Sequence, residues 1–501
     1  MRRNAAAGRH KVRAICLSAL LAVGLVVSGV FATAAHAASY DAEGIDVTLD
    51  GVTYTCDLLS DGTAHLKTPI ADDGVTVINV PTAVENAGKA YTVTELYFGW
   101  STKGANVEQL NLPDTLTRMS GWRIHNFTSL KQLEIPGSIK KFELSLQNMD
   151  SLEKLTFDEG VEELASNTMV YGCNKLKEIN LPSSLKLISQ SGAFSGASAL
   201  ESIELPEDVV FGDSTTGMFS DCTSLTSIVL PKSLTKIPTD YFSGCTSLTS
   251  VTATSEITAI GSSAFNGCTA LPEVSFSGTL TSIGYSAFKG CENLTAIPDL
   301  SHVTEMGTSA FEGCKRLFAD VDLSSLEEIP SNAFCYSQVR IVKLSDTLRS
   351  IGKWAFIWGN LATDLPDTFE SIGAYAFYAG SLSETFVIPD SVTSIGSNAF
   401  DSTEGVKEVR IGNGLTSISD GLFDDSTVEK IVIDNSEDDI TGTDNLPAVE
   451  IVYLYESIDD GTGDTVSSEP GAMTLQEAVN AAPDGIETTN EIRKHVNLAT
   501  T

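Results

Sequence analysis

Phe242-Ser-Gly-Cys245 recurs three times along the chain, as Phe265-Asn-Gly-Cys268, Phe288-Lys-Gly-Cys291 and Phe311-Glu-Gly-Cys314. Each phenylalanine lies 23 residues after the one before it, and the residues between them repeat as well. A fixed period of this length indicates a solenoid, in which each repeat forms one rung that stacks on its neighbours. The repeat therefore decides the fold of most of the chain.

Each repeat combines a short strand with a turn. The segment Leu225-x-x-Ile228-x-Leu230-Pro231 alternates apolar and outward positions and favours a strand with one buried face. Proline ends this strand because it has no amide proton to donate. In the turn Gly284-x-x-Ala287-Phe288, glycine permits the bend and alanine leaves room for the phenylalanine to enter the core.

The strand starts predict a β-rich solenoid of about 15 rungs, from residue 107 to residue 456. Rungs near Leu317, Leu361 and Leu382 depart from the 23-residue period and are expected to bend or bulge the stack. The starts fall at Val107, Leu130, Leu152, Leu176, Leu200, Leu225, Leu248, Leu271, Leu294, Leu317, Val339, Leu361, Leu382, Val406 and Val428.

The full pattern, Leu-x-x-Ile-x-Leu-Pro-x-x-Leu-x-x-Ile-Gly-x-x-Ala-Phe-x-Gly-Cys, resembles the BspA-type leucine-rich repeats of bacterial surface proteins. The resemblance covers roughly residues 107 to 433. It implies a right-handed, curved solenoid with a parallel sheet on its concave face. It also implies a secreted or wall-displayed binding protein, because several members of the family are adhesins.

The first 37 residues look like a cleaved signal peptide, which predicts export. Five basic residues precede the apolar run 14–31, and Ala35-His36-Ala37 supplies a small-x-small cleavage site. The alternative is an uncleaved membrane anchor, but the run is at the short limit for spanning a bilayer. No membrane insertion is expected after cleavage. Residues 38–106 lack the repeat and alternate like strands, so we expect a small N-terminal β cap over the first rung.

The pattern also dissolves at the C-terminal end. Residues 457–471 are rich in Asp, Gly, Ser and Thr and are predicted to form an acidic linker. In residues 472–501, Leu475-Gln-Glu-Ala-Val-Asn-Ala-Ala-Pro-Asp-Gly485 resembles the opening of a pectin-lyase-like right-handed β-helix domain. One coil cannot bury its own face. We therefore expect a poorly ordered stub from a longer surface protein.

The net negative charge of the chain bears on which classes of partner it can bind. The chain has a formal charge of −35, and removal of the five basic residues of the signal peptide leaves 26 basic and 66 acidic residues. A charge of this sign disfavours nucleic acid and anionic membranes as ligands. It permits basic partners, although a solvated acidic coat is the simpler interpretation.

Six cysteines share one position of the repeat. An exported chain with many cysteines ordinarily suggests disulfides, but small residues such as Ser337 take the same position in other rungs. We therefore predict a ladder of buried, free thiols. Cys56 and Cys335 fall outside this register, and Cys335 is expected to be exposed. The six are Cys173, Cys222, Cys245, Cys268, Cys291 and Cys314.

No motif in the sequence indicates catalysis. The histidines that follow the signal peptide are not paired at a metal-ligand spacing, so no metal site is predicted. Gly261-x-Ser263 resembles part of a nucleophile elbow, but Phe265 replaces the second glycine that the elbow needs. We expect neither a cofactor nor an enzymatic activity.

The outward strand positions form one candidate binding face, on the concave side that the resemblance implies. This face is hydroxyl-rich and mildly acidic, with Lys343, Arg410 and Lys430 in its C-terminal third. Any soluble sheet can present such a face, so it is the weaker of two candidates. Its residues are Glu178, Asn180, Ser202, Glu204, Ser227, Ser250, Thr252 and Glu273.

Four aromatic residues in two adjacent rungs form the other candidate. Trp354 and Trp358 lie in one rung and Tyr375 and Tyr378 in the next, at positions that are small or polar elsewhere. Exposed aromatics stacked in this way suit a sugar ring or a protein hot spot, and Lys343 flanks them on the sheet side. The alternative is that they fill gaps left by shortened rungs.

These features predict an exported, adhesin-like binding protein without catalytic activity, secreted or held at the cell surface. Its partner would be a host or microbial protein or glycan. The alternatives are the remnant of a polysaccharide-active β-helix enzyme and a structural spacer.

Overall fold

The computed structural model describes residues 39–121, 123–124, 126–213, 215–436, 440–459 and 465–468 of the chain. The predicted signal peptide, residues 1–37, and the predicted β-helix stub, residues 472–501, lie outside the described residues. Within those ranges, no helix is long and apolar enough to cross a membrane.

The described residues are built almost entirely from short β-strands, with a brief 3₁₀ helix at Thr443–Asn445. In chain order the strands are β1 (Tyr40–Leu49), β2 (Val52–Leu59), β3 (Thr63–Ala71), β4 (Val77–Asn79), β5 (Ala83–Asn86), β6 (Lys89–Phe98), β7 (Gln109–Asn111), β8 (Arg118–Gly121), β9 (Gln132–Ile135), β10 (Lys141–Phe142), β11 (Lys154–Phe157), β12 (Glu163–Leu164), β13 (Glu178–Asn180), β14 (Leu187–Ile188), β15 (Val210–Phe211), β16 (Ser227–Leu230) and β17 (Lys236–Ile237). They continue with β18 (Ser250–Ala253), β19 (Ala259–Ile260), β20 (Ser282–Ile283), β21 (Glu305–Met306), β22 (Asp320–Leu323), β23 (Glu328–Ile329), β24 (Arg340–Leu344), β25 (Ser350–Ile351), β26 (Asn360–Leu361), β27 (Ser371–Ile372), β28 (Thr385–Ile388), β29 (Ser394–Ile395), β30 (Glu408–Ile411), β31 (Lys430–Ser436), β32 (Glu450–Asp459) and β33 (Thr465–Ser468).

A mixed sheet precedes the regular stack. Its strands pair in the order β1-β2-β3-β6-β5, and β8 also pairs with β6. Asp50-Gly51 and Asp61-Gly62 provide tight turns, so β1, β2 and β3 pair antiparallel. In contrast, β6 runs parallel to β3 and to β8. Parallel pairing of the stack itself begins with β4 and β7. Of these two strands, β4 lies inside the range 38–106 that was predicted as a cap.

Most rungs contribute to two parallel ladders. The first contains β4-β7-β9-β11-β13, β16-β18, β22-β24-β26 and β28-β30-β31-β32, and the second contains β10-β12-β14-β15, β17-β19-β20-β21 and β23-β25-β27-β29. Ser227 pairs with Ser250, one repeat later, and Ile237 pairs with Ile260. The predicted β-rich solenoid of about 15 rungs with parallel sheets is confirmed.

Burial follows the repeat along the first ladder. In β16, Ile228 and Leu230 are buried, whereas Ser227 and Val229 are exposed. This alternation confirms that the strands have one buried face. We call the outward positions of the first ladder the strand side, and the outward positions of the Ala-Phe turns the turn side.

The turn phenylalanines form one continuous column inside the stack. Eleven rings, from Phe194 to Phe423, follow one another with centroids 5.0 to 5.7 Å apart and interplanar angles of 4 to 22°. Such offset stacking is favourable for aromatic rings. Backbone bonds tie the same turns together: the amide of Phe265 donates to the carbonyl of Ala287 at 2.8 Å. Ring stacking and backbone hydrogen bonds therefore fix each turn against the turn of the next rung.

The thiol column has a hydrogen-bonding role in the core. Cys268 is fully buried, and its Sγ donates to the carbonyl of Phe242 in the preceding rung at 3.2 Å. Ser337 makes the equivalent bond to the carbonyl of Phe311 at 3.0 Å. The carbonyl of Phe242 also accepts the amide of Cys245 at 3.0 Å, so the thiol adds a second hydrogen bond. Serine can replace cysteine in the column because its hydroxyl makes the same bond. The predicted ladder of buried, free thiols is confirmed.

The expectation that Cys335 is exposed is wrong, because only 3% of its surface is accessible. Ile357 takes the same position one rung later and is also buried. The position is covered by its surroundings, and longer polar side chains such as Lys289 extend beyond that cover. The short thiol of Cys335 does not.

The first ladder is not continuous along the stack. In this ladder, the rungs that start at Leu271 and Leu294 are joined by an isolated bridge between Glu273 and Ala296 rather than by paired strands. Further along, the register between β22 and β24 shifts after Val321. The shift skips Val342 in β24, so the bulge lies in the rung that starts at Val339, next to the rung near Leu317 that was expected to depart from regular stacking.

An antiparallel strand pair occupies part of the range predicted as an acidic linker. β32 extends the parallel ladder beside β31, and its residues 456–459 pair with β33. The sequence between β32 and β33 is rich in Asp and Gly, residues that favour tight turns between strands. Composition alone suggested a linker because it does not separate a linker from such a turn.

Burial should make the cysteines unreactive in the folded protein. It raises the pKa of Cys173 to about 11 and the pKa of Cys222 and Cys291 to about 12. Because the thiolate is the nucleophile, alkylation at pH 8 should be negligible in the folded chain and complete after unfolding. Intact mass should be unchanged by reductant. Rapid native labelling, or a mass that shows bridges between neighbouring rungs, would contradict the ladder.

Candidate binding site

The strand side presents the predicted hydroxyl-rich face to solvent. Ser227, Ser250 and Thr252 are exposed on paired strands, and Ser202 joins Ser227 through an isolated bridge. The acidic residues Glu178, Glu204 and Glu273 are also exposed, and Asn180 is half-buried. The structure thus places these eight residues on one side, along successive rungs.

Ion pairs between rungs neutralise much of the charge on the strand side. Lys154 Nζ lies 2.6 Å from the carboxylate of Glu178. Arg410 and Lys430 both approach Glu408, at 2.8 and 4.0 Å. The basic C-terminal third expected from the sequence is therefore largely paired with acids. Exposed pairs of this kind add little stability, but they leave less charge for a ligand.

The turn side has an unusual backbone requirement. In each regular turn, the residue before Ala-Phe and the residue two after Phe have positive φ. In one rung these are Ser263 (φ 52°) and Gly267 (φ 74°). This left-handed conformation suits Gly, Asn and other small residues and costs about 1–2 kcal/mol with a Cβ present. Most rungs accordingly carry small or polar residues there.

Four bulky aromatic residues break this rule in three successive rungs. Trp354 and Tyr375 take the position before Ala-Phe, with φ of 59° and 56°. Tyr336 and Trp358 take the position normally occupied by glycine, with φ of 59° and 70°. The sequence analysis missed Tyr336, whose alignment with Gly313 in the preceding repeat was the available signal. Residues held in such strained conformations concentrate at functional sites.

The aromatic side chains form two contact groups on three successive turns, Tyr336 with Trp358 and Trp354 with Tyr375 and Tyr378. Tyr336 and Trp358 lie 5.1 Å apart between ring centroids, Trp354 and Tyr375 lie 6.4 Å apart, and Tyr375 and Tyr378 lie 5.8 Å apart. The rings are inclined at 48 to 62° to one another. We call these five residues the aromatic patch.

Exposure argues against gap filling as the main role of the patch. Trp354, Trp358 and Tyr336 expose 38%, 45% and 45% of their surface, whereas a ring that fills a core gap is buried. Tyr375 and Tyr378 are half-buried, and Tyr375 packs against Trp354. The patch is a surface feature built on the column of Phe334, Phe356 and Phe377.

Only one of the two lysines near the patch in sequence meets it in the structure. Lys353 Nζ lies 4.1 Å from the centre of the Trp354 ring, in a cation–π contact. Lys343 belongs to β24 on the strand side, where its Nζ lies 3.8 Å from Asp322. Its charge is therefore engaged away from the turns that carry the aromatic residues.

The titratable groups give no sign of activated chemistry. Burial raises the pKa of the thiols, which is the opposite of the shift that makes a nucleophile. Burial and the neighbouring Glu134 raise the pKa of Asp158, an effect expected of two carboxylates on adjacent rungs. Among the described residues, no group of three or more His, Cys, Asp or Glu side chains is placed to hold a metal ion.

The geometry defines a leucine-rich-repeat solenoid with an outward aromatic patch. A family model for the BspA type leucine rich repeat region matches residues 101–215, 192–318 and 323–443, more than half of the chain. The chain therefore belongs to the BspA-type leucine-rich-repeat family. No match is found among curated protein sequences.

A solved structure supports the same fold, and a second one is similar at a lower TM-score. A leucine-rich repeat protein from Bacteroides ovatus is 24% identical, with a TM-score of 0.60 over 73% of this chain and 94% of that one. A leucine rich cell surface protein from Faecalibacterium prausnitzii is 17% identical over 81% of this chain and 94% of that one, with a TM-score of 0.31. At these identities the likeness concerns fold alone.

The strain at the patch yields a stability prediction. Replacing Trp358 with glycine restores the residue of regular rungs, whereas replacing it with alanine keeps the Cβ that disfavours positive φ. We expect Trp358→Gly to be more stable than Trp358→Ala by about 1 kcal/mol, and close to the unaltered protein. Denaturant unfolding measures both. A loss above about 2 kcal/mol in both variants would instead mean that the ring fills a gap.

Proposed function

We propose that the chain is an exported, adhesin-like binding protein that recognises a host or microbial protein or glycan without catalysis. Proteins of the BspA-type family are typically secreted or surface proteins of bacteria, and repeat solenoids generally serve as binding scaffolds. The N-terminal sequence, with its basic start and small-x-small site, supports export.

We assign the binding site from one observation. Aromatic side chains occupy turn positions with an unfavourable positive φ in three adjacent rungs. Positive φ at Trp354, Trp358 and Tyr375 is unfavourable for the fold. The exposure of Trp354 and Trp358 means that burial of their side chains offsets little of that cost. Exposed aromatics that do not stabilise the fold are explained by contact with a partner. Aromatic residues are also the side chains that dominate binding hot spots.

The strand side is the other place where the same function could reside. Glu178, Ser202, Ser250 and their neighbours share a regular exposed surface, but regular hydroxyl positions are the default of a soluble sheet. Nothing in their conformation or packing is unfavourable. Lys343 belongs with this face rather than with the aromatic patch. We therefore assign binding to the aromatic patch first.

The proposal predicts which substitutions abolish binding. Trp354→Ser and Tyr375→Asn install the residues of regular rungs, as at Ser263 and Asn398, so both variants should fold. On an array of glycans and matrix proteins, the unaltered full chain should bind at least one ligand. Each variant should weaken that binding by about 2 kcal/mol or more, as hot-spot truncations do. Circular dichroism first establishes that the variants fold.

A matched control separates the patch from a general loss of aromatic surface. Tyr285→Ser removes a tyrosine that is exposed on the turn side, two rungs before Tyr336 and three before Trp354, and should leave binding unchanged. Equal binding by the unaltered chain and both patch variants would refute the patch and favour the strand side. Hydrolysis of an arrayed glycan would overturn the non-catalytic assignment.

A further inference from the structure

We propose that the aromatic patch docks a polypeptide segment rich in cationic side chains, so that the partner is a basic protein surface rather than a neutral glycan. This inference rests on the proposed function, which left the ligand class open. It follows from the charges beside the patch and from the orientation of its rings.

The first step concerns the ring faces. Lys353 Nζ lies 4.1 Å from the centre of the Trp354 ring, so this face already accommodates an ammonium group. Cation–π contacts favour Trp and Tyr and strengthen when the cation is shielded from water. Trp358 shares its turn with Lys353, but the ammonium group of that lysine lies over Trp354. Tyr336 has no lysine in its own turn, and both Trp358 and Tyr336 expose 45% of their surface. Their faces remain open to a cation from a partner.

The second step concerns the next two turns. The amide of Ala379 donates to the carbonyl of Asp401 at 2.9 Å, and the amide of Ser402 donates to the carbonyl of Asp424 at 2.7 Å. Asp401 and Asp424 therefore follow Tyr378 in one column of the turn side. At the roughly 4.8 Å spacing of paired strands, these carboxylates lie about one and two rungs beyond the ring of Tyr378.

The charge on this part of the turn side is strongly one-signed. The five turns at 331–337, 353–359, 374–380, 397–403 and 420–426 contain a single basic residue, Lys353, and four acids. The acids are Asp401, Asp420, Asp424 and Asp425. On the other flank of the patch, Glu312 is already neutralised by Lys289 at 3.0 Å. Among these turn residues, the unpaired acids therefore lie on the C-terminal flank of the patch.

The four acids have not been neutralised within the chain. Asp420, Asp424 and Asp425 are exposed and Asp401 is half-buried. Across the described part of the chain, none of the four is in an ion pair, in contrast to Glu178 and Glu408 on the strand side. Asp401 accepts hydrogen bonds from Asn398 and Ser402, at 3.0 and 2.7 Å, which orient its carboxylate. Complementary charge gives a partner both orientation and association rate.

Ring geometry separates a polypeptide from a sugar. A flat platform of coplanar rings would suit the faces of successive sugar units. Here the rings are inclined at 48 to 62° to one another, which leaves clefts between them. A lysine or arginine side chain can enter such a cleft with its alkyl stem and place its charge beside a carboxylate. The hydroxyl groups of a neutral glycan would also donate hydrogen bonds to the four carboxylates, but only a basic side chain would supply the opposite charge.

The test compares a fluorescent arginine-rich peptide with its citrulline counterpart, which has the same shape and no charge. Fluorescence anisotropy with the full chain should give a dissociation constant at least about tenfold lower for the arginine peptide. The triple variant Asp401→Asn, Asp424→Asn, Asp425→Asn should lose most of that advantage. Trp358→Gly should weaken binding of the arginine peptide to a similar extent.

A charge-matched control distinguishes docking from general attraction to an acidic protein. Glu43→Gln, Asp50→Asn and Glu85→Gln remove the same charge from exposed positions of the N-terminal sheet, and should change the affinity less than about twofold. Equal losses in the two triple variants would overturn the inference, as would equal affinity for the citrulline peptide.

The two proposals fail in different ways. If the Trp354→Ser variant loses an arrayed ligand while the Asp→Asn variant keeps it and the arginine peptide has no advantage, the patch is a binding site and its cationic specificity is refuted. If no ligand responds to either set of substitutions, both the proposed function and this inference are overturned.

Discussion

Stacking of each rung on its neighbours is the constraint on which the rest of this structure depends. A single rung has a two-residue strand, a slightly longer strand and a turn, and none of these can satisfy its own backbone or bury its own apolar edge. The amide of Phe265 needs the carbonyl of Ala287, the ring of Phe265 needs rings above and below it, and Cys268 donates back to Phe242. Interior positions are therefore fixed by neighbours, and only outward positions are free to vary.

That division explains where function can arise in such a fold. Turn positions with positive φ point outward and tolerate only small residues without cost, so a bulky side chain there is unfavourable for the stack. Four bulky residues in adjacent rungs nevertheless have positive φ: Tyr336, Trp354, Trp358 and Tyr375. The next two turns carry Asp401 and Asp424 at the position after phenylalanine, where Tyr378 lies in the turn before them. Variation is thus concentrated in one region of the turn side rather than scattered.

The sequence was sufficient for the features that depend on the period. Residues 23 apart must pair in register, so the rungs, the alternation at Ile228 and Leu230, and the buried thiols could all be predicted. The features that the sequence did not predict depend on how neighbouring residues bury a side chain and on the backbone conformation. Cys335 was expected to be exposed because its neighbours in the column are polar. Tyr336 was missed because it replaces glycine, and its importance emerges from φ and from its contact with Trp358.

The charge pattern needed three-dimensional neighbours as well. Lys343, Arg410 and Lys430 suggested a basic region, but each meets an acid of its own or an adjacent rung. Conversely, the acids after Tyr378 lie far apart in sequence and become adjacent through the turn hydrogen bonds.

The most direct measurement of the central claim is the free energy of unfolding of a Phe288→Ala variant, determined by denaturant titration. Phe288 is fully buried and stacks at 5.1 Å on both Phe265 and Phe311. If rung-to-rung packing holds the structure, this substitution should destabilise it by about 3–5 kcal/mol, the usual cost of truncating a buried phenylalanine. A loss below about 1 kcal/mol would contradict the account, because it would mean that the rungs do not depend on the column inside them.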